Sequence, residues 1–189
     1  MDITLFGPPG SNREALKQAL KSEFQLTDLG TLHWLLGLQI EYQPDSIALS
    51  QRTYIDKLLL RFGMMSCNPV TLPLDPNHKL RKYQEGDNIA DISLYQQIID
   101  SLMYLVIGAR PDLAFAISLL SQFSSKPTVE HLGAAKRILR YIKGTRDHTL
   151  TYKRYPQLSL AGFTDSDHGG NRDDRKSTSG YIFQLYSNE

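Results

Sequence analysis

The sequence predicts an α+β chain in which strands and helices come first, a helical block follows, and strands return at the end. Three observations carry this reading. Short apolar runs bounded by turn residues occupy 32–49 and the region from Thr149 onward. Apolar residues recur every three or four positions over 93–143. Between these regimes, from Met64 to Ala90, the pattern is lost among Pro69, Pro73, Pro76 and Gly86, which marks an extended connector.

With 189 residues the chain is long enough to bury a core. Its formal net charge is +1, so any affinity for nucleic acid has to come from local clusters of Lys and Arg. The single cysteine, Cys67, excludes an internal disulfide framework and a multi-cysteine zinc site. No apolar run approaches the ~20 residues of a membrane span, and the opening Met1-Asp2-Ile3 lacks the basic start of a secretory signal. These features predict a cytoplasmic or nuclear protein that is not secreted and has no membrane partner.

The chain opens on a short apolar run that stops at Gly7-Pro8-Pro9-Gly10. Ser11 and Glu14 have the spacing of a capping box, which predicts a helix over 12–24 burying Leu16, Ala19, Leu20 and Phe24. The same stretch is not a phosphate-binding loop, because Glu14 stands where a hydroxyl would have to hold Mg²⁺. A long strand is predicted over 32–42, paired with 47–49 across the turn Pro44-Asp45-Ser46. Ser50 can cap a helix with Tyr54, Ile55, Leu58, Leu59 and Phe62 on one face, ending at Gly63.

Three further helices are predicted to pack as a small bundle. The first runs from a cap at Ser93 through 107, with Leu94, Ile98, Leu102 and Leu105 inside and Gly108 as its stop. The second starts near Pro111 or Asp112 and carries Leu113, Ile117, Leu120 and Phe123. The third, over 128–143, has Leu132, Ala135, Leu139 and Ile142 in one stripe and ends at Gly144.

At the far end a strand over 158–164, a polar turn and a strand over 180–186 read as a hairpin that lifts acids to a strand end. Asp165 and Asp167 are two residues apart and would share a strand face, as a divalent-cation site needs; they would equally suit a turn. Lys136, Arg140 and Lys143 recur at helical spacing, with Arg137 and Arg146 nearby. Such a stripe can track phosphates or can be solvated surface. The five histidines show no metal-ligand spacing, and no Ser/His/Asp or Cys/His signature supports nucleophilic catalysis.

Several strings resemble the Pol polyprotein of copia-type LTR retrotransposons, in the order in which they occur there. They are Ser101-Leu102-Met103-Tyr104-Leu105, Arg110-Pro111-Asp112, Leu120-Ser121-Gln122-Phe123, Ala134-Ala135-Lys136-Arg137-Ile138-Leu139-Arg140-Tyr141-Ile142-Lys143-Gly144-Thr145 and Asp173-Asp174-Arg175-Lys176-Ser177-Thr178-Ser179-Gly180-Tyr181. The resemblance covers essentially the whole chain. It implies the end of a reverse-transcriptase palm with a primer-grip hairpin over 1–63, a linker over 64–90, a helical thumb and connection over 91–146, and the first strands of a ribonuclease H domain over 147–189.

Site residues follow from the same resemblance. Asp2 matches the second Asp of the polymerase Tyr-x-Asp-Asp turn, with Met1 where the first belongs. Two-metal phosphoryl transfer holds its cations about 3.5–4 Å apart, so Asp2 alone cannot support polymerisation. Trp34-Leu35-Leu36-Gly37 resembles the hairpin that holds a primer 3′ end, with Gly37 allowing close backbone approach; a plain core hairpin is the other reading, and Trp34 and the leucines would be buried in either. Lys136, Arg140 and Lys143 would lie along an RNA–DNA hybrid or primer-template, and Asp165 matches the first ribonuclease H carboxylate, a ligand of Mg²⁺. The remaining acids of that site would come from later elements. His168 stands in place of a usual Trp, and Asp100 in place of a usual Gly, which would cost stability on a packed face. The resemblance therefore predicts a fragment that binds duplex and does not complete either reaction alone. The alternatives are a non-catalytic scaffold or binding subunit of a complete polymerase, and an inert remnant of a decayed element.

Overall fold

The computed structural model describes residues 3–5, 7, 10–75, 80–153, 160–170, 173 and 175–185. Helix α1, Ser11–Glu23, leads to strands β1, Trp34–Leu35, β2, Leu38–Gln43, and β3, Ser46–Ser50. Helices α2, Arg52–Arg61, α3, Ile92–Gly108, α4, Ala114–Ser121, and α5, Val129–Gly144, follow, with a 3-10 turn at Pro111–Leu113 before α4. Strands β4, Thr149–Lys153, β5, Leu160–Ser166, and β6, Ser179–Leu185, close the order. The alternation of strands, helices and strands is thus the α+β arrangement the sequence predicts.

The core is helical. Ile55, Leu58 and Leu59 of α2, Ile98, Leu102 and Leu105 of α3, Ile117 and Leu120 of α4, and Ile138, Leu139 and Ile142 of α5 form one buried cluster. Each helix supplies a stripe at i, i+3 and i+4, and each large side chain fully buried this way contributes about 1.5–3 kcal/mol. Tyr95 is fully buried, and its hydroxyl donates to the Leu120 carbonyl at 2.8 Å, which ties α3 to the end of α4.

Contacts cross the expected boundaries in three places. The apolar face of the helix at 52–61 packs with α3 to α5. Within the expected extended linker over 64–90, Met64, Leu74 and Leu80 pack against the same core. The strand at 149–153 has its sheet partner far back in the chain. It pairs antiparallel with β3, Leu150 opposite Leu49 and Tyr152 opposite Ile47, giving a sheet in the order β1-β2-β3-β4. Strands β5 and β6 form a separate two-stranded sheet.

Local differences have local causes. The backbone of α1 is capped at Gly10, so Ser11 is its first residue and not its cap. Leu16 is 49% exposed and Phe24 60%, so the expected burial of that face does not occur among the described residues. The predicted strand over 32–42 breaks into β1 and β2 at Leu36 and Gly37, whose φ values of 48° and 78° make the tight turn. Asp91, not Ser93, caps α3, its carboxylate accepting from Leu94 N at 3.0 Å. Asp100 is exposed, so its carboxylate carries no burial cost.

Two polar groups hold the bundle. The Arg110 side chain is 2% exposed and makes a two-pronged pair with Asp112 at 2.9 and 2.8 Å. It also donates to the Thr145 carbonyl at 3.2 Å and hydroxyl at 2.7 Å, joining the start of α4 to the end of α5. Burial alone would raise the Asp112 carboxyl, but the Arg110 bonds and charge, with the Tyr141 hydroxyl at 3.0 Å, hold it below the usual range. Removing Asp112 would leave the buried Arg110 guanidinium without its counter-charge, at a cost of about 3 kcal/mol.

His131, fully buried on α5, is the second. Its ring stacks on Phe123 at 4.0 Å, its Nδ1 accepts from Thr128 N at 2.9 Å, and its Nε2 donates to the Arg81 carbonyl at 3.0 Å. Burial holds the imidazole below its ordinary pKa of 6.5, against the pull of the Arg81 carbonyl, Glu130 and Asp87. A proton on Nδ1 would also displace the Thr128 N–H. Above pH 6.5 neither folded nor unfolded ring is charged; below it the unfolded chain takes up a proton that the native ring refuses. Urea melts should therefore show stability falling as pH drops from 6.5, by up to about 1.4 kcal/mol per pH unit, until the lowered native pKa is reached. His131→Asn, which keeps an acceptor for Thr128 N, should flatten that stretch of the profile.

Candidate nucleic-acid interface

The first element of the candidate site is the turn between β1 and β2. Trp34 pairs with Gln39 and Leu35 with Leu38, so two residues are left for the turn, and both require positive φ. The Tyr104 hydroxyl of α3 donates to the Leu36 carbonyl and fixes the turn to the helical block. A Cβ on residue 37 would lie 2.3 Å from that hydroxyl oxygen. Gly37 thus answers both to the turn and to the close approach of Tyr104. Trp34 is 52% exposed and Leu36 84%, so the burial expected of them under either reading of the hairpin does not occur.

Sheet and bundle meet at Gln51. This buried amide accepts from Ala109 N at 3.0 Å and donates to the Tyr104 carbonyl at 3.3 Å, satisfying groups at the end of α3. Next to it, Tyr54 packs on Tyr104 with ring centroids 4.6 Å apart and donates to the Ser101 carbonyl at 3.1 Å. The exposed turn is therefore carried on a rigid seam.

The second element is the basic side of α5. Lys136 is exposed. Arg140 and Lys143 are partly buried and turn onto the connector, Arg140 Nε donating to the Asn68 carbonyl at 2.7 Å and Lys143 Nζ to the Cys67 carbonyl at 2.6 Å. Arg146 is paired with Asp56 through both nitrogens at 2.5 and 2.6 Å, and that pairing holds the Asp56 carboxyl below the usual range. The stripe read from the sequence is real as a spacing, yet two of its three members, Arg140 and Lys143, also hold down the chain at 67–68.

The third element is the end of β5. Asp165 lies on the strand opposite Gly180, exposed, with its carboxylate accepting from Ser166 N at 2.9 Å. Asp167 lies beyond the strand end and closes the hairpin: its carboxylate accepts from Thr178 N at 2.5 Å and its N–H donates to the Thr178 carbonyl at 3.1 Å. It serves the turn. Among the described residues no group of three or more His, Cys, Asp or Glu side chains is gathered as a metal site. Asp2 lies outside the described residues.

Comparison with known proteins gives the family. A family model for reverse transcriptase (RNA-dependent DNA polymerase) matches residues 2–76. The retrovirus-related Pol polyprotein from transposon RE1 of Arabidopsis thaliana is 43% identical over 166 residues, 88% of this chain and 11% of the relative. The corresponding polyprotein from transposon TNT 1-94 of Nicotiana tabacum is 36% identical over 190 residues, 96% of this chain and 14% of the relative. An uncharacterized mitochondrial protein of Arabidopsis thaliana is 35% identical over 187 residues, 99% of this chain and 77% of the relative. The chain belongs to the copia-type retrotransposon Pol family. It spans about a tenth of the length of the Arabidopsis Pol polyproteins it matches. No solved structure matches it significantly. No helix among the described residues of this Pol segment is long and apolar enough to cross a membrane.

Sequence reasoning missed Tyr104, Gln51 and His131. Leu36-Gly37 offered a turn signal, and His131 stands at the third helical position after Thr128, where a reciprocal cap belongs. Gln51 had no signal, since its partners are more than 50 residues away. In denaturation, Gly37→Ala should lose about 1–2 kcal/mol from the left-handed backbone, plus a steric share. Tyr104→Phe in the same chain should recover the steric share, so the two changes should cost less together than their sum.

Proposed function

We propose that this reverse-transcriptase segment of Pol binds RNA–DNA hybrid or primer-template duplex without sequence preference. The observation that carries the reading is the rigidly mounted turn at Trp34–Leu35 and Leu36-Gly37, whose apolar tip is exposed while its backbone is pinned by Tyr104. Lys136 would add a phosphate contact, with Arg140 and Lys143 contributing positive field from their places beside the connector. Contacts of this kind go to phosphates and are sensitive to salt.

The β5–β6 hairpin reads as the first strand pair of a ribonuclease H-like fold, with Asp165 as its first carboxylate. Mg²⁺ is the cation such a carboxylate would take, since hard divalent cations prefer oxygen ligands. With Asp167 committed to Thr178, Asp165 offers one carboxylate, and the described residues do not complete a coordination shell around it. Turnover by this segment alone is accordingly not part of the proposal. Cytoplasm or nucleus is the setting in which a hybrid would be met.

A second reading has its own observation. Leu16, Phe24 and Leu29 are exposed along and after α1, which suits a scaffold role against a complete polymerase subunit.

The test is binding of a labelled hybrid by fluorescence anisotropy across a salt series. The wild-type chain should bind at low salt with log K falling linearly against log salt, and Lys136→Glu should weaken binding and reduce the slope by about 1. Binding that ignores Lys136→Glu, or none at low salt, would remove the duplex reading and leave the scaffold.

A further inference from the structure

One peptide group is held from both sides. The carbonyl of Arg81 accepts from His131 Nε2 at 3.0 Å, and the N–H on the same peptide, that of Lys82, donates to both carboxylate oxygens of Asp173 at 3.1 and 3.0 Å. His131 belongs to α5, and Asp173 to the turn that joins β5 to β6. We propose that Asp173 is the positioning residue that docks the β5–β6 hairpin onto the helical block, through a peptide group that His131 and its neighbours hold in place.

The presentation of that N–H is built in. Arg81 turns its guanidinium onto Asp87, at 2.8 and 2.9 Å, and Asp87 also accepts from Gln84 N at 2.8 Å. These bonds hold the Asp87 carboxyl down at about 2, the Arg81 bond first among them. Further along, Ala90 N donates to the Pro127 carbonyl at 2.9 Å and Val129 N to the Asn88 carbonyl at 3.0 Å, which tie the end of the connector to the start of α5. Lys126 sits over the Tyr83 ring at 3.6 Å. The connector therefore has one shape where it passes His131.

The ring state of His131 follows from Thr128. Because Nδ1 accepts from Thr128 N, the proton resides on Nε2 and the ring can only donate to Arg81. An amide whose oxygen accepts a hydrogen bond donates more strongly at its nitrogen, and a carboxylate is the strongest acceptor the chain can offer. The hairpin has need of such an anchor. Phe163, Tyr181, Ile182 and Phe183 are all exposed, so among the described residues the large apolar side chains on both faces of β5–β6 stay largely open. Asp173 thereby sets where Asp165 stands relative to the basic side of α5, a consequence that rests on the duplex reading; the docking itself does not.

Amide exchange and relaxation by NMR on the full chain test it, with no nucleic acid present. In the wild-type protein the Lys82 amide should be protected, and the amides of 160–170 and 175–185 should tumble with those of α5. Asp173→Ala should raise Lys82 exchange at least tenfold, give the hairpin a shorter correlation time, and shift the His131 Nε2 resonance through the shared peptide. Asp173→Asn, with one oxygen left to accept, should restore part of the protection. Ser177→Ala, which removes the acceptor of Gly169 N inside the hairpin's own turn, should leave Lys82 and His131 unchanged. Asp173 is exposed, and Asp173→Asn carries the same reading should the alanine variant not fold. Equal Lys82 exchange and equal hairpin tumbling in wild type and both Asp173 variants would overturn the proposal, as would faster Lys82 exchange with unchanged tumbling. A failed duplex titration would leave these measurements standing.

Discussion

A buried amide carries the join on which the rest depends. Gln51 leaves the sheet at the end of β3 and spans the last turn of α3, accepting from Ala109 N and donating to the Tyr104 carbonyl. It lies so near Gly108 that a Cβ there would meet its Nε2 at 2.3 Å. Ala109 N also keeps its helical bond to the Leu105 carbonyl at 3.1 Å, so these contacts satisfy the buried amide of Gln51 itself and fix sheet against bundle. Tyr104, one turn before, extends the same seam to the turn at Leu36 and Gly37. The position of the exposed hairpin tip follows from bonds made inside the helical block.

The same logic explains what the sequence made legible. Helical stripes in α2 to α5 could be read because burial against one core selects a 3.6-residue period, and the stripe of α5 lacked little beyond Ile138. Turn chemistry at Gly63 and Pro111 was equally local. What escaped was non-local. Nothing within 149–153 says that it pairs with 46–50, about a hundred residues earlier, and nothing in α1 says that its apolar side stays open. The resemblance grouped residues 147–189 together, while hydrogen bonding divides them between two sheets.

Of the site, spacing revealed positions and not allegiances. Lys136, Arg140 and Lys143 share a helix face, yet only the structure shows Arg140 and Lys143 bonded to the connector. Asp165 and Asp167 are alike in sequence and differ in surroundings: one is exposed on a strand, the other clasps Thr178. Asp173 had no distinguishing feature until its partner, a backbone N–H 91 residues away, was in view. Polar side chains that bond to backbone leave no pattern in composition or periodicity, and this chain uses them at Gln51, Tyr104, His131 and Asp173 to connect elements that apolar packing leaves apart.

The central claim, that a Pol segment presents its hairpin tip and α5 to a nucleic-acid duplex, is tested most directly by mapping NMR shifts during titration with an RNA–DNA hybrid at low salt. Perturbations are expected at the Trp34 indole, Leu36, Gly37 and Lys136, disappearing together as salt is added. Unchanged spectra through the titration, or perturbations confined to the β4 edge and the β5–β6 hairpin, would contradict it.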